Sequence, residues 1–353
     1  MKTNKTLIYV AGPTGIGKTD FSIKVAKKFN TEIISCDSRQ FYRELTIGTS
    51  PPNRSQLKEV KHHFIHNKSI HDQYNVGLYE KDAINVIKNL FYKKDYLVLV
   101  GGSGLFANSI IYGIDKFPTI PDEIRDSVRN LYKEKGIKYL QKKLQKLDPK
   151  YFNEVDINNS VRLIRALELI EYTGNSFSSM RKGKNKERSF NTLIISLECP
   201  RELLYQKINK RVEKMIDDGL EEEVFKLRKF KNLNTLNTVG YKEFINYFDN
   251  KISYEDTINK IKQNTRNYAK RQITWFKKYT DSKKINISEN SEITSENFTD
   301  KFIIKLAKQR LEDYFEEGHS RNTKDADWRK QTNQMRKFIQ KYNWQSVNKL
   351  IIY

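Results

Sequence analysis

Short apolar runs alternate with amphipathic stretches through the first hundred residues. Leu7-Ile8-Tyr9-Val10-Ala11 is uninterrupted and ends at Gly12, which predicts a buried strand. Residues 20–29 place Phe21, Val25, Ala26 and Phe29 on one helical face. Glu32-Ile33-Ile34-Ser35 predicts a second strand, running into Asp37. Residues 79–92 are spaced for a helix, with Ala83, Ile84, Ile87 and Leu90 or Phe91 on one side. Tyr96-Leu97-Val98-Leu99-Val100 predicts a third strand, stopped by Gly101-Gly102. Such alternation predicts an α/β fold, a parallel sheet flanked by helices.

The texture changes near residue 115. Asp115 to Pro121 resembles a linker, and residues 122–174 are amphipathic and helical almost throughout. A basic loop from Arg181 to Lys186 precedes a further strand, Thr192 to Leu197, which would return the chain to the sheet. The pattern therefore divides the chain into a core over 1–114, an inserted helical lobe over 115–190, and a second, mostly helical part of the core over 191–283. The stretch 284–299 is rich in Ser, Asn and Glu and suits a linker, and 300–353 holds two or three candidate helices. Residues 284–353 are thus expected to form a linker and a C-terminal helical extension. No internal repeat is visible.

Composition narrows the class. Hydrophobic content of 37% against 31% charged residues excludes a disordered chain. No apolar run approaches the roughly 18 residues of a membrane helix, and the start is too short in apolar residues for a signal peptide, so a cytoplasmic protein is expected. Cys36 and Cys199 are the only cysteines, too few for a disulfide framework or a cysteine zinc site. The net charge of +22 favours a polyanionic partner, although a bias toward lysine, asparagine and isoleucine would give the same excess.

Three strand exits carry candidate chemistry. Gly12-Pro13-Thr14-Gly15-Ile16-Gly17-Lys18-Thr19 is a complete phosphate loop of the kind found in ATP- and nucleotide-binding proteins, between a strand and a helix. Its backbone amides and the helix N-terminus ring an anion, Lys18 adds charge, and the Thr19 hydroxyl suits Mg²⁺. The loop specifies a phosphate or diphosphate, not a triphosphate. Asp37 follows the second strand, where ligands of such sheets sit, and could accept a proton or merely cap a turn. Gly101-Gly102-Ser103-Gly104 permits close backbone approach, a weak signal by itself.

Taken in order, these segments resemble the tRNA dimethylallyltransferase (tRNA isopentenyltransferase) family. The resemblance rests on the loop Gly12 to Thr19, then Asp37-Ser38-Arg39-Gln40-Phe41-Tyr42, His62-His63-Phe64-Ile65 and the Val98 to Gly104 segment. It continues through Val161-Arg162-Leu163-Ile164-Arg165-Ala166-Leu167-Glu168, Arg201 to Leu204, Arg211, Asn237-Thr238-Val239-Gly240-Tyr241-Lys242, and Thr265 to Trp275. It covers roughly residues 6–280 and stops before the tail.

The resemblance implies a phosphate-loop core with an inserted helical domain, acting as a monomer. The loop would bind dimethylallyl diphosphate with Mg²⁺, and ATP would not be hydrolysed. The acceptor would be the exocyclic amine of the adenosine 3′-adjacent to the anticodon, presented by the anticodon stem-loop of tRNA. On this basis Asp37 is the general base, and Thr14 to Thr19 with Arg211 hold the diphosphate. Residues 37–40, 161–165 and 237–242, with Ser103 and Arg125, would follow the tRNA. Arg162 and Arg165 lie three apart, which suits them to clasp phosphates or stack on bases.

Other features have plainer readings. His62 and His63 are expected to be structural, and Tyr268, Trp275 and Phe276 core aromatics. Phe106 stands where the family commonly has tyrosine, so a hydroxyl role there is lost. The tail holds no cysteine and only His319, which excludes the zinc finger of some relatives. Its Arg321, Lys324, Arg329, Lys330, Arg336, Lys337 and Lys341, with Trp328, Tyr342 and Trp344, could bind RNA or pack a helical cap. Three rivals stay open: a free-nucleotide prenyltransferase, a small-molecule kinase sharing the loop, and a non-catalytic RNA-binding module. The insert and the charge favour tRNA, because a mononucleotide needs neither.

Overall fold

In the computed structural model, residues 5–183 and 186–287 are described. Strand β1 (Thr6–Ala11) runs through the middle of the molecule, with every residue buried. Its side chains alternate between two cores: Leu7, Tyr9 and Ala11 face one, Ile8 and Val10 the other. That is why the run is apolar without a break. After the phosphate loop come α1 (Lys18–Lys28) and β2 (Ile33–Ser35). Next are the short helix α2 (Arg54–Glu59), the two-residue strand β3 (His62–His63), α3 (Val76–Phe91) and β4 (Tyr96–Val100). Helix α4 (Gly104–Ile111) starts directly after the second glycine-rich exit.

Strand β5 (Asn191–Glu198) rejoins the sheet beside β1, and the final strand β6 (Lys283–Asn286) adds to its edge. The six strands pair in the order β3-β2-β4-β1-β5-β6, all parallel. Thr6 lies level with Tyr96 on one side and Asn191 on the other. Ligands of such sheets gather beyond the carboxyl ends of the strands, and the exits of β1, β2 and β4 lie together there.

Between α4 and β5 stand α5 (Asp122–Leu147), α6 (Pro149–Glu154), α7 (Ser160–Thr173) and α8 (Phe177–Met180). They have a core of their own, built from Val128, Leu140, Leu144, Tyr151, Leu163, Ala166 and Leu167 among others. The helical pattern is less continuous than the periodicity predicts. Gly136 (φ 69°) breaks α5, and the Asp148 carboxylate caps α6 through the Tyr151 amide at 3.0 Å. The remaining helices are α9 (Arg201–Asp217), α10 (Leu220–Leu227), α11 (Tyr241–Phe248) and α12 (Tyr254–Phe276).

Two strands differ from the sequence expectation. β3 is too short to show a period, and it is recognisable only through its pairing with β2. β6 lies where a linker beginning at 284 is predicted. Ile285 and Ile287 are buried at alternate positions, so the sheet runs past residue 283, and the polar residues that follow mask a short strand pattern. The rest of the predicted linker and the candidate helices over 300–353, with His319 and the basic and aromatic residues from Arg321 to Trp344, lie outside the described residues. So do Lys184 and Asn185 of the basic loop. Among the described residues no helix is long and apolar enough to cross a membrane.

Candidate active site

The phosphate loop joins β1 to α1, and its last glycine makes the turn possible. Gly17 (φ 101°) is the left-handed residue preceding the first turn of α1, a conformation that strains any side-chain-bearing residue. Lys18 folds back, and its Nζ donates to the Pro13 carbonyl at 2.9 Å. Burial drives the Lys18 pKa down to about 8; the Asp37 charge opposes this and the Arg211 charge adds to it. Burial likewise lowers the Arg211 pKa, again against the charge of Asp37. The two cations and the carboxylate thus share one electrostatic neighbourhood, although they come from α1, the β2 exit and α9.

Asp37 braces the turn that it opens. Its Oδ1 accepts the Arg39 amide at 3.1 Å, so the capping role weighed from the sequence is present. That bond uses one of two carboxylate oxygens and leaves room for a proton-accepting role. Ser38 is tied to the β4 exit: its amide donates to Ser103 Oγ at 3.1 Å, and the two hydroxyls lie 3.1 Å apart. Arg39 Nη1 donates to the carbonyls of Asn234 and Thr235, both at 3.2 Å. Gln40 Nε2 donates to the Thr49 and Ser50 carbonyls at 3.2 and 3.0 Å. Arg211 Nε donates to Ser50 Oγ at 2.8 Å and Nη1 to Thr14 Oγ1 at 3.2 Å.

Two site residues on α12 carry no sequence expectation of a role at the site. Gln272 is buried; its Oε1 accepts the Thr14 amide at 2.8 Å, and its Nε2 donates to the Gly102 carbonyl at 2.9 Å. The Thr14 amide is therefore already taken, so only the later amides of the loop could contribute to an anion cradle. A Cβ on Gly102 would stand 2.1 Å from Gln272 Nε2, which explains the glycine. Tyr268 was expected in the core. Burial and then the Asp37 charge hold its hydroxyl well above the usual tyrosine pKa, against a hydrogen bond with Ser103. The overlooked signal is a long polar amide on a largely apolar helix face, since Thr257, Ile261, Ala269, Gln272 and Phe276 are the buried residues of α12.

A cleft of about 1600 Å³ opens between the core and the helical lobe; Tyr42, Leu105 and Thr235 line it, but none of Lys18, Asp37 and Arg211 does. Arg125 and Arg165 line it, with Arg181, Lys186, Arg188 and Asn234. Arg165 also pairs with the buried Glu168 at 3.3 Å. Val161 and Arg162 are exposed at the start of α7, Ile164 is half-buried, and Leu163 is fully buried in the lobe core. The segment 237–242 divides in the same way. Asn237 and Lys242 are exposed and Thr238 and Val239 half-buried, whereas Gly240 and Tyr241 are buried.

Tyr241 and Leu163 thus fall beneath the surface on which the tRNA path is expected, for a packing reason. The Tyr241 hydroxyl donates to Glu223 Oε1 at 2.5 Å. That same carboxylate accepts the amides of Thr46 and Ile47 at 2.9 Å each and of Gly48 at 3.2 Å. Glu223 fills a ring of backbone donors that would otherwise need an outside anion. His62 Nδ1 lies 2.8 Å from the Val60 carbonyl and His63 Nε2 lies 2.7 Å from Glu32, contacts that suit the structural role expected of them.

Comparison with known proteins identifies the family. Residues 40–279 match the IPP transferase family. The chain is 51% identical over 285 residues to a tRNA dimethylallyltransferase of Christiangramia forsetii, covering 81% of this chain and 94% of that one. It is 46% identical over 278 residues to a tRNA dimethylallyltransferase of Flavobacterium psychrophilum, covering 77% and 91%. Its fold is similar to the full-length tRNA isopentenylpyrophosphate transferase of Bacillus halodurans, with a TM-score of 0.65 and 32% identity. That match spans 88% of this chain and all of the other.

Proposed function

The chain belongs to the IPP transferase family, and from that premise we propose that it is a tRNA dimethylallyltransferase. It moves the dimethylallyl group of dimethylallyl diphosphate onto the exocyclic amine of the adenosine 3′-adjacent to the anticodon. The observation that supports this most is the convergence of Lys18, Arg211 and Asp37 beyond the carboxyl ends of β1 and β2, in a molecule whose core and lobe enclose a cleft that several arginines line.

The chemistry follows from those groups. The amine nitrogen attacks the allylic carbon as the carbon–oxygen bond breaks, and that bonding pair leaves on the diphosphate. The adenine lone pair is delocalised into the ring, so the attack needs a base, and the nitrogen's proton passes to the Asp37 carboxylate. Lys18 and Arg211 face the negative charge that grows on the leaving group, a contribution larger in the transition state than before it. Magnesium bound through substrate phosphates needs only one or two protein oxygens rather than a cage, and the Thr19 hydroxyl would supply one. The ion would offset the charge of the departing diphosphate.

The anticodon stem-loop crosses the cleft, with Arg125 and Arg165 on its backbone and the target base turned out of its stack toward Asp37. Ser103, residues 37–40, Val161, Arg162, Asn237 and Lys242 border that path, and Leu163 and Tyr241 support it from beneath. All these residues come from one chain, which suits a monomer. A tRNA substrate suits the cytoplasm.

Labelled dimethylallyl diphosphate offered in parallel to tRNA, AMP and ATP tests the proposal. Label in tRNA alone is expected. Label in AMP or ATP would make the protein a free-nucleotide prenyltransferase, and ATP hydrolysis with the donor untouched would make it a kinase-like enzyme.

A further inference from the structure

The turn Thr49–Ser50 lies outside every segment assigned to substrate, yet it is held from both sides of the site. Gln40 Nε2 donates to the carbonyls of Thr49 and Ser50 at 3.2 and 3.0 Å. From the other side, Arg211 Nε donates to the Ser50 hydroxyl oxygen at 2.8 Å, while Nη1 reaches Thr14 Oγ1 at 3.2 Å. The turn itself is built firmly. Ser50 N donates to the Ile47 carbonyl at 3.0 Å, Thr49 Oγ1 donates to the Leu45 carbonyl at 2.6 Å, and Glu223 gathers the amides of residues 46–48.

We propose that Ser50 is a positioning residue: its hydroxyl sets the plane of the Arg211 guanidinium so that the remaining N–H donors face the diphosphate. The inference rests on the proposed placement of the donor diphosphate beside Thr14 and Arg211. Two observations carry it. First, a guanidinium is a rigid planar fork, so fixing Nε and one Nη fixes the direction of every other donor. Both acceptors are neutral hydroxyls, and among the described residues no carboxylate pairs with Arg211. The charge of Asp37 acts on it without a direct ion pair, so the remaining N–H donors stay available to an anion.

Second, Ser50 holds a left-handed backbone (φ 41°) that glycine would adopt without strain. A serine kept in such a conformation, with its hydroxyl engaged at 2.8 Å, points to the hydroxyl as the reason. Gln40 completes the arrangement, because its amide anchors the turn from the segment that carries Asp37. The donor-holding arginine and the general base are in this way referenced to one rigid turn.

Ser50→Gly separates the hydroxyl from the fold, since it removes the oxygen while relieving the backbone. That variant is expected to melt at or above the wild-type temperature. Its KM for dimethylallyl diphosphate should rise about 3- to 10-fold, the usual effect of one hydrogen bond, with KM for tRNA changed much less. Ser50→Ala, which keeps the strained backbone, should show the same donor KM. In the double variant with Arg211→Ala, Ser50→Gly should add nothing, because it acts through that side chain. A wild-type donor KM in Ser50→Gly, or a penalty that multiplies in full onto that of Arg211→Ala, overturns the assignment. Should Arg211→Ala itself leave donor KM and turnover unchanged, the placement of the diphosphate fails, and with it the ground for the proposal.

Discussion

Gln272 accepts the backbone amide of Thr14 at 2.8 Å across 258 residues of sequence, and its other end holds the Gly102 carbonyl at 2.9 Å. One buried side chain on α12 therefore sets the distance between the phosphate loop and the β4 exit. Gln272→Ala leaves both backbone groups without that partner, and an unsatisfied buried polar group costs about 1–3 kcal/mol. Denaturant unfolding should show a loss of that order, together with a raised KM for dimethylallyl diphosphate. Unchanged stability would mean that water replaces the amide and that the loops position themselves.

Asp37 combines a cap and a proposed base, and the two roles can be parted. Asparagine presents the same Oδ1 to the Arg39 amide, so Asp37→Asn should keep the turn now closed at 3.1 Å. It cannot take up the proton, and turnover should fall by about 10²–10⁴-fold with donor affinity little altered. Turnover near that of the wild type in a single-turnover assay would remove Asp37 from proton transfer.

Much of this was legible in the sequence, and the reasons differ by residue. The strands β1, β2 and β4 announce themselves because they are buried on both faces, and β5 because its apolar run ends in the buried stretch from Ile195 to Leu197. The phosphate loop, Asp37 and Arg211 were readable because glycine spacing and motif order carry them. Gln272 and Tyr268 were not, since each depends on what a distant strand exit brings to the helix. Tyr241 shows the opposite difficulty. It belongs to a segment that reads as a surface for tRNA, but its hydroxyl braces Glu223 under the Thr46–Gly48 loop. A motif marks a region of constraint, and only packing tells which of its residues face outward.

Arg162 and Arg165 look equivalent in sequence and differ in the structure. Arg162 is exposed, whereas Arg165 lines the cleft and pairs with a buried glutamate at 3.3 Å. Each alanine substitution should flatten the salt dependence of tRNA binding by about 0.7–0.9 log units per lost phosphate contact. Only Arg165→Ala should also lower the melting temperature, because it strands the Glu168 carboxylate. Equal salt slopes in wild type and both variants, with folding intact, would take α7 out of the RNA path.

Lys18 gives the donor site a pH dependence whose sign can be stated in advance. In the free protein it titrates near 8, lowered from the ordinary 10.5 by burial. Between those values the unfolded chain holds the proton and the folded one does not, so this group's contribution to stability rises with pH across that window. Binding works the other way. A diphosphate favours the charged amine and raises its pKa, so above about pH 8 binding takes up a proton and affinity falls by up to a decade per unit. Calorimetric titration with dimethylallyl diphosphate in two buffers of different ionisation enthalpy should reveal that uptake on the alkaline side and much less near neutrality. Lys18→Met should bind more weakly and lose the dependence. Affinity that stays flat from about pH 7 to about pH 10 would show that the lysine never meets the diphosphate, and a slope surviving in Lys18→Met would assign the titration to another group.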